Sequence, residues 1–318
     1  MTASVIETGC IPAQFREVIK AISATCAQLA TILRREQAAD PVPGARLEGI
    51  FADALRGAGC RWLSVKNRDA AVALARDGAF GVAIDPLNGA AHVDANTPLG
   101  TIFSIFPAAE SAEATFARPM GDLIAAGYVI YGPRTALAVS FGAGVNVFTL
   151  NPDSGCFELT RDQVRLPPEA GEFAINASNY RHWSQPVRAY IDDCLAGTDG
   201  PRGQNFNMRW TASLVADTHR ILLRGGIFLF PDDERPGYEH GRTSLLHECA
   251  PIAFVIENAG GRATNGAEPI LSLRQGRDQT LSPFIFGSSD MVDRVATYHD
   301  LPPTEISALF GNRGLFRA

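Results

Sequence analysis

The segment from Phe80 to Phe106 reads FGVAIDPLNGAAHVDANTPLGTIFSIF, and it indicates more about the fold than any other part of the chain. An apolar strand runs into Asp85-Pro86, the chain turns at Asn88-Gly89, and a second apolar strand begins at Thr101. A carboxylate is therefore expected at a strand end, beside a series of free backbone N–H groups. The carboxylate can bind a hard cation, and the N–H groups can bind a phosphate. This combination is typical of metal-assisted hydrolysis of phosphate esters.

Taken alone, the same segment has a second interpretation, in which Asp85-Pro86 and Asn88-Gly89 only form a turn between two strands. Two other motifs carry little weight. Gly142-Ala143-Gly144 follows a predicted strand but precedes another strand, whereas a dinucleotide-binding loop opens a helix. The histidines show neither His-x-His nor His-x-x-x-His spacing, so a zinc site is not expected.

Composition and charge exclude several functional classes. A formal net charge of −6, without any run of Lys or Arg, argues against nucleic acid as a partner. The six cysteines are scattered and form no Cys-x-x-Cys pair, which favours reduced thiols and a cytoplasmic location. Neither a signal peptide nor a run of about 20 apolar residues is visible, so no membrane association is expected.

The hydrophobic pattern predicts an α/β protein with two layered parts of similar size. Helices are predicted at Val18–Arg35 and Arg46–Arg56, followed by short apolar runs typical of consecutive antiparallel strands. Leu166-Pro167-Pro168-Glu169 is the best linker candidate, which divides the chain into residues 1–165 and 166–318. The predicted strands are Phe80–Asp85, Thr101–Phe106, Tyr128–Tyr131, Thr135–Phe141, Val145–Leu150, Cys156–Leu159, Gly226–Phe230 and Pro283–Phe286; the later helices are Pro186–Leu195, Ala212–Arg224, Pro251–Ala259 and Met291–Tyr298.

Several ordered motifs are those of one enzyme family. They are Asp85-Pro86-Leu87-x-Gly89, Gly100-Thr101-Ile102-Phe103, Tyr131-Gly132, Asn176-Ala177-Ser178-Asn179, Asn207-Met208-Arg209-Trp210-x-Ala212-Ser213, Arg224-Gly225-Gly226-x-Phe228-Leu229 and Glu248-Cys249-x-Pro251. From the first helix to His299, the chain resembles class 1 fructose-1,6-bisphosphatases, particularly the bacterial type associated with the Calvin cycle. The resemblance implies a layered α/β/α/β/α sugar-phosphatase fold, a homotetramer, and Mg²⁺-dependent hydrolysis of fructose 1,6-bisphosphate to fructose 6-phosphate and phosphate, a step of the Calvin cycle and gluconeogenesis.

The resemblance also implies a metal site. In the family, an aspartate and the backbone carbonyl two residues later bind Mg²⁺, which correspond to Asp85 and Leu87. Asn88 stands where the family has a second aspartate and can still offer the metal one neutral carbonyl oxygen, and Glu248 matches the downstream metal ligand. Glu48 corresponds to the acidic residue that orients or deprotonates the attacking water. Without the resemblance, Glu248 could equally be a glutamate that favours a helix N-terminus.

The chain departs from the family pattern around the reacting phosphate. Two serines that contact the 1-phosphate are replaced by Ala90 and Ala91, although backbone N–H groups from Gly89 onward can still face an anion. A metal-binding glutamate pair is missing, and the matching segment, Leu63-Ser64-Val65-Lys66-Asn67, introduces a lysine. At about 4 Å and an effective dielectric of about 20, each missing or reversed unit charge costs roughly 4 kcal/mol per metal charge. The sequence therefore predicts a weakened metal site and reduced turnover.

Two alternatives to normal turnover follow. One is a catalytically impaired paralogue that binds a sugar bisphosphate or regulates an active copy. The other is a different phosphate monoester as substrate, because the altered loop is the part that contacts the reacting end.

The far end of the substrate is expected to be better retained. The resemblance implies that Asn176 and Tyr180 contact the 6-phosphate, and that Arg209 reaches the same phosphate across a subunit interface. Arg242 stands where the family has a basic residue that contacts the sugar phosphates. Arg209 could instead be a surface arginine, and His247, beside Glu248, could be a buried packing residue.

Overall fold

A computed structural model describes residues 5–35, 44–276 and 280–300. Two main sheets, a small two-stranded sheet and the helices around them make up this part of the chain. The larger sheet has eight strands and the smaller has five. The strands of the larger sheet are β1 (Cys60–Val65), β2 (Val72–Ala73), β3 (Phe80–Asn88), β4 (Leu99–Pro107), β5 (Ala125–Tyr131), β6 (Thr135–Ser140), β7 (Asn146–Leu150) and β8 (Phe157–Arg161).

The remaining elements follow in chain order. The first helices are α1 (Arg16–Arg35), α2 (Gly44–Arg56) and the short α3 (Ala112–Phe116). The second half contains β9 (Glu172–Ala174), α4 (Gln185–Leu195), β10 (Asn207–Met208), α5 (Leu214–Arg224), β11 (Ile227–Phe230), β12 (Thr243–Ser244), α6 (Ala250–Asn258), β13 (Arg262–Thr264), β14 (Leu281–Ser282), β15 (Phe284–Gly287) and α7 (Ser289–Asp300). The strand order is β2-β1-β3-β4-β5-β6-β7-β8 in the larger sheet and β10-β9-β11-β15-β13 in the smaller, and β12 pairs with β14 in the two-stranded sheet.

The larger sheet confirms the predicted run of antiparallel strands. From β3 to β8, each strand pairs antiparallel with the next one in the chain. Strands β1 and β2 were not predicted, because the segment CRWLSV shows no clean apolar alternation and only half of its side chains are buried. Strand β1 pairs parallel with β3, and this unpredicted pairing is what brings Lys66 into the site.

Three apolar clusters show that the elements form five layers. On one face of the larger sheet, Ile22 of α1 and Phe51 of α2 pack with Ile84. On its other face, α5 and α6 lie between the two sheets, where Ile256 packs in one cluster with Ile102 and Phe286. Helices α4 and α7 cover the outer face of the smaller sheet. There, Tyr190 and Val295 belong to one cluster with Phe173 and Ile285. The order α/β/α/β/α confirms the fold expected from the resemblance.

Candidate active site

A β-bulge in β3 brings Asp85 and Asn88 to the same face of the strand. Asp85 pairs with Ile102 and Asn88 pairs with Gly100, so two residues of β3 oppose the single residue Thr101. In a regular strand, side chains three positions apart point to opposite faces. The extra residue reverses that relation, and a proline is tolerated at the irregular position. Sequence reasoning expected the strand to end at Asp85, but it continues through this bulge to Asn88.

Glu248 reaches the same place from the second half of the chain. It lies in a π-helical turn, Leu245–Cys249, directly before α6. Such turns are rare overall, but those that occur are frequently found at functional sites. The Ser244 backbone N–H donates to Glu248 Oε2 at 2.9 Å, which fixes the carboxylate. Glu248 and Asp85 are both buried.

Lys66 lies between these two carboxylates. The parallel register pairs Val65 with Ile84, so that Lys66, the next residue, comes beside Asp85. Its Nζ is 3.0 Å from Asp85 Oδ2 and 2.8 Å from Glu248 Oε1. Lys66, which stands in the segment where the sequence lacks the glutamate pair, is thus the cation that binds both carboxylates.

Asn88 binds the same two oxygens as Lys66. Its Nδ2 donates to Asp85 Oδ2 at 2.9 Å and to Glu248 Oε1 at 2.8 Å. Because both partners are carboxylate oxygens, only the nitrogen end of the amide can face them. The sequence assigned Asn88 to metal binding through its carbonyl, but here its donor end faces the acidic pair. This orientation argues against that role.

The ionisation of the cluster follows from burial and mutual charge. Burial alone would lower the pKa of Lys66, but the charges of Asp85 and Glu248, with their hydrogen bonds, hold it above its ordinary value. Burial raises the pKa of Glu248, against the opposing effect of Lys66. The lysine therefore carries its positive charge at neutral pH.

The residues present do not fit a divalent metal ion. Mg²⁺ requires about six oxygen ligands in octahedral geometry. Here the converging oxygens of Asp85 and Glu248 each accept two N–H donors already, and Lys66 has its charged nitrogen at the point where they converge. In the described part of the chain, no cluster of three or more His, Cys, Asp or Glu side chains could hold a metal.

An open cavity of about 360 Å³ adjoins this cluster. Glu48, the candidate for positioning water, lines it but is bound to the Arg68 guanidinium. Arg68, which no motif in the sequence indicated, is half exposed at the cavity rim. The cavity is lined by Leu47, Glu48, Val65, Lys66, Asn67, Arg68, Asp85, Pro86, Leu87 and Ala90.

The candidate phosphate loop follows directly after β3. Gly89 has φ 85°, a left-handed conformation that favours glycine, and it starts a short 3₁₀ turn, Ala90–His92. Ala90 and Ala91 are exposed. Leu87 is buried in an apolar cluster with Leu47 and Leu99.

His247 is held in a buried, neutral state beside this site. Its Nε2 is 3.0 Å from Ser64 Oγ, and its Nδ1 is 3.1 Å from Ser244 Oγ. Burial, followed by the charge of Lys66, lowers its pKa to about 3. These contacts agree with the packing interpretation of His247.

A second group of candidates surrounds Tyr238. Asn176 and Tyr238 line a small cavity of about 10 Å³. Arg242 donates to Tyr238 Oη at 2.5 Å and stacks on its ring at 4.6 Å. On the same ring, Arg235 lies 4.1 Å from the centroid and is also bound to Asp233. The sequence missed Tyr238 and Arg235; the only signal was the polar segment between Asp233 and Arg242.

The structure does not bring every predicted contact of the 6-phosphate together. The Tyr180 hydroxyl donates to both carboxylate oxygens of Asp192, at 3.0 Å each. This engagement argues against a free phosphate contact by Tyr180. The Arg209 side chain is 55% exposed, and its Nε lies 3.6 Å from Glu172 Oε1.

Comparison with known proteins assigns the chain to a family. The fructose-1-6-bisphosphatase N-terminal domain model matches residues 48–162, and the C-terminal domain model matches residues 166–300. The chain belongs to the class 1 fructose-1,6-bisphosphatase family. It is 54% identical, over 100% of both chains, to fructose-1,6-bisphosphatase class 1 of Paracoccus denitrificans, and 51% identical, over 97% of both, to a class 1 fructose-1,6-bisphosphatase of Cereibacter sphaeroides.

Solved structures agree with this assignment. The crystal structure of Leishmania major fructose-1,6-bisphosphatase in holo form superposes with a TM-score of 0.84 at 27% identity, covering 92% of this chain and 96% of that one. The apo form of the same protein gives 0.82 at 28% identity. Fructose-1,6-bisphosphatases are hydrolases of carbohydrate metabolism that generally use divalent metal ions. None of the described helices is long and apolar enough to span a bilayer.

Proposed function

We propose that this protein binds fructose 1,6-bisphosphate, as its family does, and hydrolyses it to fructose 6-phosphate and phosphate far more slowly than its metal-dependent relatives. The single observation that carries the reduced rate is the bridge from Lys66 to both Asp85 and Glu248. The substrate itself comes from family membership.

The groups around Tyr238 support binding of the far end of the sugar. Arg242 offers a charged fork suited to phosphate, and Asn176 adds an amide nearby. Asn176 accepts hydrogen bonds from Ser178 N and Oγ, at 3.2 and 2.6 Å, which fixes its side chain. Substrate binding can therefore persist where the chemistry is weakened.

At the other end, the remaining groups can orient the 1-phosphate but supply little stabilisation of the transition state. Loss of one well-placed electrostatic contact typically lowers kcat by about 100-fold or more. Here Glu48 is bound to Arg68, and the acidic pair is neutralised in part by Lys66. We therefore expect turnover at least about 100-fold below that of active relatives.

A second candidate is a non-catalytic paralogue that binds sugar bisphosphate and regulates an active copy. The closed cluster of Lys66, Asn88, Asp85 and Glu248 favours it, because this cluster is complete without metal or substrate. Under either proposal, the remaining assignments follow the family. They are Mg²⁺ as the metal of active copies, a homotetramer in which Arg209 crosses between subunits, a cytoplasmic location, and two halves, residues 1–165 and 166–318.

Two measurements on the purified protein test these proposals. Calorimetry with fructose 1,6-bisphosphate measures binding, and phosphate release with excess Mg²⁺ measures turnover. Binding with slow release supports the main proposal, and turnover equal to that of the Paracoccus relative would contradict it. Binding without any release, together with an altered rate when this chain is mixed with the active relative, would favour the regulatory paralogue.

A further inference from the structure

Four nitrogen–oxygen contacts form a closed ring at the centre of the site. Lys66 Nζ and Asn88 Nδ2 each contact the same two atoms, Asp85 Oδ2 and Glu248 Oε1, at distances of 2.8 to 3.0 Å. Every distance is that of a good hydrogen bond. One ammonium and one amide thus satisfy the two carboxylate oxygens that converge from different halves of the chain.

We propose that Lys66 and Asn88 together are a built-in replacement for a divalent cation. They neutralise and hold the acidic pair, join β3 to the π-helical turn, and prevent Mg²⁺ or Mn²⁺ from binding. The proposal concerns cation binding by the protein alone, so it does not depend on which substrate is bound or how fast it is hydrolysed.

The charge balance supports this assignment. Asp85 and Glu248 carry two negative charges and Lys66 carries one positive charge, which leaves a net charge of −1 in the ring. A divalent ion entering there would have to displace the ammonium, because both cations require the same oxygens. Lys66 is three-quarters buried and its stem extends from the end of β1, so displacement would also break its packing.

The same geometry predicts how a metal site could be restored. In K66E/N88D, two further carboxylates would join the two already present, so that four acidic side chains converge without a counterion. Such a cluster of hard oxygen ligands is what divalent cations bind. Divalent cations should therefore leave the stability of the native protein unchanged, and they should stabilise the double variant.

Thermal unfolding of the full chain, in EDTA and in millimolar MnCl₂, tests the proposal without substrate. The native protein should show the same Tm in both. K66E/N88D should have a lower Tm in EDTA, and Mn²⁺ should raise it by about 5 °C or more. The matched control, K20E/N96D, makes the same charge change at the half-exposed Lys20 and the exposed Asn96, and it should not respond to Mn²⁺.

Calorimetric titration with Mn²⁺ gives an independent readout. Saturable 1:1 binding is expected for K66E/N88D and not for the native chain. If the double variant does not fold, K66Q keeps most of the side-chain volume and should still gain a smaller Mn²⁺-dependent rise in Tm. Saturable Mn²⁺ binding by the native protein, or the lack of any response in both Lys66 variants, would overturn the proposal.

Discussion

Asn88 Nδ2 donates a hydrogen bond to Glu248 Oε1 at 2.8 Å, although the two residues are 160 positions apart in the chain. This hydrogen bond connects β3 of the larger sheet to the π-helical turn before α6. Lys66, directly after β1, makes a second connection to the same glutamate. The resemblance to the family predicts that Asp85 and Glu248 bind metal. Here, the protein's own donors satisfy them, so the stability of the site should depend on Lys66.

Replacing Lys66 by methionine should destabilise the protein strongly. K66M keeps the length of the side chain but leaves two buried carboxylates together without a cation. Removal of one partner from a buried ion pair costs several kcal/mol, and we expect about 3 kcal/mol here. Urea denaturation at pH 7 measures this loss of unfolding free energy.

The matched control is K20M. Lys20 pairs with Glu17 on the exposed surface of α1, where such a pair contributes little. We expect a change below about 0.5 kcal/mol for K20M. Equal effects of the two variants would show that the Lys66 bridge does not stabilise the fold.

The sequence predicts the strands of the larger sheet more completely than it predicts the contacts within the candidate site. The strands from β3 to β8 follow from short apolar runs between turn residues, which is local information. The contact of Lys66 with Glu248 depends on the parallel pairing of β1 with β3, on the bulge in β3 and on the π-helical turn. None of these three features has a local signature in the chain, so the sequence predicted a weakened metal site but not the cation bridge in it.

Stability should fall as the pH drops below about 6.5, because His247 is neutral in the folded state. Its pKa is lowered to about 3, whereas in the unfolded chain it has its ordinary value of 6.5. Below pH 6.5, the unfolded state binds the extra proton, so the stabilisation present at higher pH is lost. Between pH 6.5 and 5, this one histidine should cost about 1.5 kcal/mol.

Comparing the native protein with H247N isolates this contribution. Urea unfolding from pH 7 to pH 5 should give a shallower pH dependence for H247N, by about the amount stated above. His219 provides an internal comparison, because burial lowers its pKa to about 4 as well. H219N should therefore reduce the slope too, and a native pH profile in both variants would contradict the assignment.

The Tyr238 hydroxyl should contribute to substrate binding through Arg242. Y238F removes the oxygen to which Arg242 donates but keeps the ring on which its guanidinium stacks. With the arginine less well positioned, affinity for fructose 1,6-bisphosphate should fall about threefold to tenfold, the usual value of one hydrogen bond. Calorimetry measures this change, and circular dichroism verifies the fold.

Y180F is the control for Y238F and also tests the sequence-based assignment of Tyr180. The Tyr180 hydroxyl is bound to Asp192, so its removal should change the dissociation constant less than twofold. A larger loss in Y180F than in Y238F would show that Tyr180 contacts the ligand and that Tyr238 does not position Arg242.

Gly100 should be intolerant of any side chain, because it lies opposite Asn88 in the bulged pairing of β3 with β4. A Cβ atom there would lie 2.5 Å from the Val129 carbonyl oxygen and 2.6 Å from Val215 Cγ1. Neither the strand carbonyl nor the buried valine can move freely. We expect G100A to lower the unfolding free energy by about 2 to 3 kcal/mol, as overpacking does.

G132A is the matched control, since a Cβ atom at Gly132 meets its nearest neighbour, the Arg134 carbonyl oxygen, at 3.8 Å. That is an ordinary van der Waals contact, so G132A should unfold within about 0.5 kcal/mol of the native protein. Native stability in G100A would mean that the pairing of β3 with β4 can shift, and that the bulge alone does not fix the position of Asn88.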